Sequence, residues 1–364
     1  KRWYVFLGKI DVLRKKIDKI DSNVLTLLNQ RAKFALDIGL EKSKAGKDNF
    51  HVPQREQEIF SRLKKINTGP FPDKAILSVF REILSATLSL EKPLSIAYLG
   101  PQATFSHLAG IKGFGESARY YPQKCIEDVF KAVEKNSANY GIVPVENSIE
   151  GTVNSTLDML VQTDLKVSSE ILLRVSHHLL SLSRDLKKIK KIYSHPQPVA
   201  QCNSWLRENL AGVKIQEVSS TARASELAAR HLTSAAIAGE AASRIYKLNI
   251  LARGIENRAD NVTRFLVIGH EISQKSWKDK TSLLFGVKDK PGALFNILNH
   301  FAKNNINMTR IESRPLKNKK WEYLFFVDIE GYSNDTRVKK AIKEIEKSCL
   351  FLKTLGSYPK GREA

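Results

Sequence analysis

The feature that most restricts the fold is an apolar stripe near the start of the chain. Leu13, Ile17, Ile20, Val24, Leu27, Leu28, Ala35 and Ile38 recur at steps of three and four residues, the period of one helix face. The pattern predicts a single helix from about residue 10 to the turn-rich Lys44-Ala45-Gly46-Lys47-Asp48-Asn49. A second helix is predicted over about residues 54–66, stopped by Thr68-Gly69-Pro70-Phe71-Pro72-Asp73. Asp73 is expected to cap a third helix that carries Ile76, Phe80, Ile83, Leu84 and Leu88. Two shorter helices cannot cover so long a stripe, so a partner chain is expected.

At Glu91-Lys92-Pro93 the period changes. Short apolar runs at residues 95–99, 140–144, 189–193, 235–238 and 264–268 read as buried strands alternating with helices, an α/β layout. After Ser273 a third pattern begins: strand 281–287, helix 292–304, strand 308–314, strand 322–329, helix 334–346 and strand 350–358. That βαββαβ order is ferredoxin-like. The expected fold is therefore multidomain, α followed by α/β, with a helical domain at residues 8–92, an α/β domain at 94–270 and a small domain at 280–358.

Composition removes several functions. A net charge of +21 and a pI near 9.7 invite a nucleic-acid reading. The clusters Lys187-Lys188-Ile189-Lys190-Lys191 and Lys317-Asn318-Lys319-Lys320 lack interleaved aromatics, zinc-finger spacing or a helix-turn-helix beside them. They read as solvated surface, or as a field that attracts small anions. No stretch of about 18 apolar residues occurs, so no membrane span is expected, and the apolar part of Lys1-Arg2-Trp3-Tyr4-Val5-Phe6-Leu7 is too short for a signal peptide. Cys125, Cys202 and Cys349 are scattered, which argues against a disulfide framework and a zinc site and favours a reducing, cytoplasmic setting. No metal or cofactor is expected.

On the long helix Arg31 and Lys42 lie 11 residues apart, close to three turns, so they share a face about 16.5 Å apart. Leaning together they would leave a gap for a small dicarboxylate. Arg14 is about 25 Å from Arg31 along the same helix and could serve only a site on an antiparallel second copy. Solvated cations are the competing reading. In the middle segment, turn-rich phrases stand at strand ends: Gly100-Pro101-Gln102-Ala103-Thr104-Phe105-Ser106-His107, Pro144-Val145-Glu146-Asn147-Ser148-Ile149-Glu150-Gly151-Thr152-Val153, Tyr193-Ser194-His195-Pro196-Gln197-Pro198, Ser219-Ser220-Thr221-Ala222 and Asn261-Val262-Thr263-Arg264-Phe265. They suggest a cleft between two α/β lobes lined by hydroxyls, amides and an Arg. No phosphate loop, dinucleotide fingerprint or Ser-His-Asp order accompanies them. His107, His177 and His195 are each a candidate acid or base, with a hydrogen-bonded structural role as the competing reading. In the last segment Lys290-Pro291-Gly292-Ala293-Leu294 opens a helix, whose free N–H groups suit an anion such as an amino-acid carboxylate.

These phrases carry a resemblance. Leu13-Arg14-Lys15-Lys16-Ile17-Asp18, Leu28-Asn29-Gln30-Arg31, Lys42, Val52-Pro53-Gln54-Arg55-Glu56 and the 80–91 stretch resemble the all-helical chorismate mutases, which are intertwined dimers. By that resemblance Arg31, Lys42 and Arg55 hold the carboxylates and ether oxygen of chorismate, and Arg14 comes from the other subunit. Glu56 accepts from the ring hydroxyl, and Val52, Thr87 and Glu91 complete the pocket, with Lys42, Arg55 and Glu91 counted as catalytic. A site of cations without a catalytic His suits a pericyclic rearrangement, which needs confinement and charge complementarity only.

Residues 94–270 resemble prephenate dehydratases, whose bilobal fold is like a periplasmic binding protein. The resemblance makes Thr263 the proton-donating catalytic residue. Thr104, Ser106, Asn147, Ser148, Gln197, Thr221, Arg264 and Phe265 become substrate-binding residues. One departure is that the family phrase has Gly where Ala103 stands. Gly292, Ala293, Leu294, Glu312, Ser313 and Arg314 resemble the phenylalanine site of an ACT domain, formed between paired domains. The three modules over about residues 8–358 match the order of fused chorismate mutase–prephenate dehydratases. The implied function is chorismate to prephenate to phenylpyruvate, inhibited by L-phenylalanine, in a homodimer or homotetramer without nucleic acid or membrane. The alternatives are action on arogenate and a non-catalytic amino-acid-binding regulator.

Overall fold

A computed structural model of the chain describes residues 2–44, 53–276, 278–288, 290–315 and 323–361, excepting the side chains of residues 2–8 and 53. Val52, residues 45–49, the Lys317-Asn318-Lys319-Lys320 cluster and Glu322 lie outside the described residues. The chain divides into two compact units, one built mainly from residues before Ser95 and one mainly from Ser95 onward.

The first unit is helical: α1 (Arg2–Lys44), α2 (Pro53–Ile66) and α3 (Asp73–Glu91). α1 starts eight residues earlier than its apolar period indicates, because nothing between Arg2 and Ile10 breaks a helix except the mild cost of Gly8. The cap of α3 also differs from expectation. Pro72 occupies the N-cap in extended conformation without a side-chain cap bond, and Asp73 is the first helical residue. There its carboxylate accepts from Asn67 Nδ2 at 2.7 Å and faces the positive end of the helix dipole. α1 packs on α3, yet the apolar stripe of α1 remains open, with Leu13, Ile17, Ile20 and Leu27 each more than half exposed.

Among the described residues the second unit contains three sheets. Its chain runs β1 (Ser95–Leu99), α4 (Phe105–Phe114), β2 (Arg119–Gln123), α5 (Ile126–Glu134), β3 (Tyr140–Asn147), β4 (Gly151–Thr152), α6 (Asn154–Gln162) and β5 (Lys166–Arg174). It then crosses to a second lobe of β6 (His178–Ser181), β7 (Lys191–Ser194), α7 (Pro196–Gln201), α8 (Asn203–Asn209), β8 (Lys214–Glu217), α9 (Thr221–Ala228), β9 (Ser234–Ala238), α10 (Glu240–Ile245) and β10 (Asn249–Ala252). β11 (Val262–Gly269) returns to the first lobe between β3 and β5, giving the orders β2-β1-β3-β11-β5 and β10-β6-β9-β7-β8. Strands β6 and β9 are buried along their whole length.

The third sheet has the order β13-β14-β12-β15, from β12 (Asp279–Val287), α11 (Ala293–Lys303), β13 (Met308–Pro315), β14 (Tyr323–Glu330), α12 (Thr336–Glu346) and β15 (Phe351–Pro359). One of its faces packs on α11 and α12 through Leu283, Phe285, Ile297 and Val338. From the other, Leu284, Leu324, Phe326 and Leu355 join Val145, Leu157, Leu160 and Leu266 of the first lobe in a single apolar core. The edge strands β15 and β5 also meet, at Gly356 and Val167. Lys187, Lys188 and Lys190 are exposed, as solvated charge.

Candidate active sites

In the helical unit α1 and α3 bring four of the expected residues together. Arg31 Nη1 donates to Thr87 Oγ1 at 2.7 Å, and Thr87 is buried. Glu91, at the end of α3, feels both Lys42 and Arg31, yet burial outweighs them and pushes its carboxyl above the usual range. Burial also lowers the Arg31 guanidinium, against the pull of Glu91. Gly39 makes the approach possible, because a Cβ there would sit 3.2 Å from Glu91 Cγ. Arg14 lies exposed near Asp11 at 3.4 Å, about 25 Å along α1 from Arg31. Arg55 and Glu56 stand in the first turn of α2.

In the second unit a cleft of about 470 Å³ opens between the two α/β lobes. Thr104, Ser106, Asn147, Gln197, Thr221, Thr263 and Phe265 all line it. Its polar centre is ordered. The carbonyl oxygen of the Asn147 side chain accepts from the backbone N–H groups of Ile149 (3.0 Å) and Glu150 (3.1 Å). Its Nδ2 therefore faces the other way and donates to Asn261 Oδ1 and Thr263 Oγ1, both at 2.8 Å. With an oxygen lone pair so engaged, the Thr263 hydroxyl keeps its own proton to donate.

The network continues: Asn261 Nδ2 donates to Gln201 Oε1 at 3.3 Å, and Gln201 Nε2 to Glu150 Oε1 at 2.9 Å. Gln197 donates to the same Glu150 carboxylate. His177 Nε2 lies 2.9 Å from Gln201 Oε1, an acceptor, so Nε2 carries the proton. Burial holds this imidazole below its usual pKa, so it is neutral. His107 is likewise lowered by burial, with Nδ1 facing the Ala103 N–H at 3.4 Å, and His195 Nδ1 caps α7 by accepting from the Gln197 N–H.

Two expected cleft residues are elsewhere. Arg264 is buried on the opposite side of β11, where Nε donates to Glu170 Oε2 at 2.7 Å, Nη1 to Asp328 Oδ2 at 2.5 Å and Nη2 to the Tyr358 hydroxyl at 3.0 Å. The reason is strand alternation: Thr263 and Phe265 share one face and Arg264 takes the other. The Ser148 hydroxyl accepts from Val262 N–H at 3.0 Å and donates to Asp260 O at 3.3 Å, a clamp on the start of β11. Of these network residues, Asn261 and Glu150 belong to the strand-end phrases and His177 is one of the candidate histidines, whereas Gln201 was missed. Gln201 lies at the end of α7, beyond the phrase at the end of β7, and carried no sequence signal.

In the third sheet Gly292 caps α11 with φ +77 and open space where a side chain would stand. Ala293 is buried and Leu294 packs on the core of this domain. Glu312 and Arg314 reach the first lobe. Thr152 Oγ1 donates to Glu312 Oε2 at 2.8 Å, and Arg314 Nη1 donates to Asn154 O at 2.6 Å beside Asp158. Ser313 is exposed between them.

Comparison with known proteins agrees with this division. Family models match at residues 13–92 (chorismate mutase type II), 96–273 (prephenate dehydratase) and 281–347 (ACT domain). A bifunctional chorismate mutase/prephenate dehydratase of Aquifex aeolicus is 52% identical over 97% of this chain and 99% of its own length. Among solved structures, an Arthrobacter aurescens prephenate dehydratase in complex with L-Phe is similar, with 32% identity, a TM-score of 0.67 and coverage of 72% of this chain and 89% of its own. So is GqqA, described as a quorum-quenching acylase, at 28% identity and a TM-score of 0.67, covering 73% of this chain and 97% of its own. Because the Aquifex relative spans the helical unit as well as both later modules, this chain belongs to the family of bifunctional chorismate mutase/prephenate dehydratases.

Proposed function

We propose that chorismate is rearranged at the Arg31, Lys42, Thr87 and Glu91 cluster, and that prephenate is dehydrated and decarboxylated at Thr263. The rearrangement needs no base. Arg31, Lys42 and Arg55 bind the carboxylates and ether oxygen, Glu56 takes the ring hydroxyl, and Arg14 arrives from a second copy. The open stripe on α1 supports at least a homodimer. The domain limits follow as residues 8–92, 94–270 and 280–358.

In the cleft the bond to the ring carboxylate breaks and carbon dioxide leaves. Its electron pair restores the aromatic ring and expels the ring hydroxyl as water, with a proton passed by Thr263 and replaced from solvent. Aromatisation drives the step, so modest acid assistance suffices. The observation that carries this reading is the Asn147 amide donating to Thr263 Oγ1, which leaves the threonine proton for the leaving group. Thr104, Ser106, Gln197 and Thr221 bind the carboxylates and keto group, and Phe265 forms the apolar floor. Phenylalanine binds at the Gly292–Leu294 helix start, with its carboxylate at the positive end of α11, and inhibits. The free, dispersed Cys125, Cys202 and Cys349 fit a reducing cytoplasmic setting.

The test is to incubate the pure chain with chorismate and follow phenylpyruvate with and without phenylalanine. Thr263→Ala should stop phenylpyruvate formation and accumulate prephenate while chorismate is still consumed. Prephenate and arogenate supplied side by side separate the two candidate substrates of the cleft.

A further inference from the structure

We infer that Arg264 is a positioning residue for the dehydratase reaction, holding the Thr263 segment in register by tying β11 to the C-terminal sheet. The inference rests on Thr263 as the proton donor.

Arg264 belongs to a buried, charge-balanced set drawn from both sides of the domain boundary. Glu170 on β5 and Arg264 on β11 come from the first lobe, while Lys280 and Ser282 on β12, Asp328 on β14 and Tyr358 on β15 come from the third sheet. Lys280 Nζ pairs with Glu170 Oε1 at 2.9 Å, and the Tyr358 hydroxyl lies 2.6 Å from Ser282 Oγ. Two cations face two carboxylates, and all four side chains are at most 11% exposed. Because the guanidinium is planar with donors in a fixed fork, three simultaneous contacts to different strands define its position tightly.

The local backbone gives these ties their consequence. Thr263 pairs with Asn147 and Arg264 with Glu146, but the β11–β3 register slips between Arg264 and Phe265. A bulge interrupts the ladder and bends the strand, so side-chain ties bear more of the task of placing residues 263 and 264. Thr263 is tied on the cleft side by Asn147. Its neighbour is tied on the other side by groups of which two, Asp328 and Tyr358, belong to the C-terminal sheet. Displacement of that sheet therefore moves the proton donor directly, and a catalytic lobe without it lacks half of the support.

The experiment uses the full chain and the variants Arg264→Met, Arg264→Lys, Tyr358→Phe and Thr263→Ala, with mutase turnover and thermal unfolding as controls. Arg264→Met should lower dehydratase kcat about tenfold or more with KM for prephenate within about twofold, since a transition-state contact is misplaced and ground-state binding is kept. Arg264→Lys, which keeps the charge and only part of the fork, should fall between wild type and Met. Tyr358→Phe, which cannot reach the cleft, should lower kcat about threefold with KM unchanged. A raised KM with normal kcat in the Arg264 variants would make Arg264 a substrate ligand and overturn the inference. Normal kcat in folded Arg264→Lys and Tyr358→Phe would overturn it even if Arg264→Met failed to fold. Phenylpyruvate formation by Thr263→Ala would instead remove the reading of Thr263 on which it rests.

Discussion

Glu91 sits at the end of α3 with a carboxyl that burial raises against the opposing pull of Lys42 and Arg31. A protonated carboxyl can donate to an ether oxygen, whereas an ionised one repels the charge that develops there. Since its folded pKa is raised, the donating form persists to higher pH than for a solvated Glu, and is lost as pH climbs through that value. Mutase activity should therefore decline on the alkaline side while dehydratase activity follows a different curve. Glu91→Gln, always able to donate, should flatten the mutase profile and keep or raise the rate at neutral pH. Steady-state rates over a pH series decide this, and a flat wild-type profile would refute it. Ala103 shows the same residue-scale balance. Its φ of 69 is the left-handed conformation that explains the Gly of the family phrase. That strain and the burial of its methyl are each about 1 kcal/mol, so Ala is tolerated.

At the scale of elements, two edge strands decide how the last domain attaches. A Cβ added to Gly356 of β15 would lie 2.2 Å from Val167 O of β5, a backbone atom that no rotamer change can move aside. Gly356→Ala should therefore force the strands apart and lower stability by about 1–3 kcal/mol, read as a shift in denaturant midpoint of this unit. Dehydratase turnover should fall with it, because β15 also carries Tyr358, while the mutase should be spared. Normal stability in the Ala variant would mean the strands do not meet so closely in solution. Lys353 strengthens the same junction, its ammonium reaching the carbonyls of Leu160, Val161 and Thr163 at the end of α6, where the helix dipole favours a cation. None of these contacts was visible as a motif, since Gly356 lies 189 residues from Val167 and Lys353 lies 190 to 193 residues from the carbonyls it reaches.

At the scale of the molecule, α1 exposes an apolar stripe that a chain of this kind cannot leave in water. The proposed occupant is α1 of a second copy, which also brings Arg14 to a site that its own helix cannot serve. Mixing inactive Arg14→Ala with inactive Arg31→Ala protein, or co-expressing them, should restore part of the mutase activity, because a hybrid holds one intact site. Recovery of none would rule out the shared site.

The sequence alone determined the order of three modules, the helical and βαββαβ periods, and most of the residues that the structure gathers in the cleft and on α1 and α3. These were legible because periodicity and short phrases at strand ends are local. The sequence did not decide which way Arg264 points in the fold as a whole, nor that Glu312 and Arg314 face the first lobe. Alternation along β11 already separates Arg264 from Thr263, but a residue's partner on the far face is set by what packs there. For Arg264 that partner is a sheet formed beyond Asp279, and only the tertiary structure brings its carboxylate and hydroxyl within reach of a buried guanidinium.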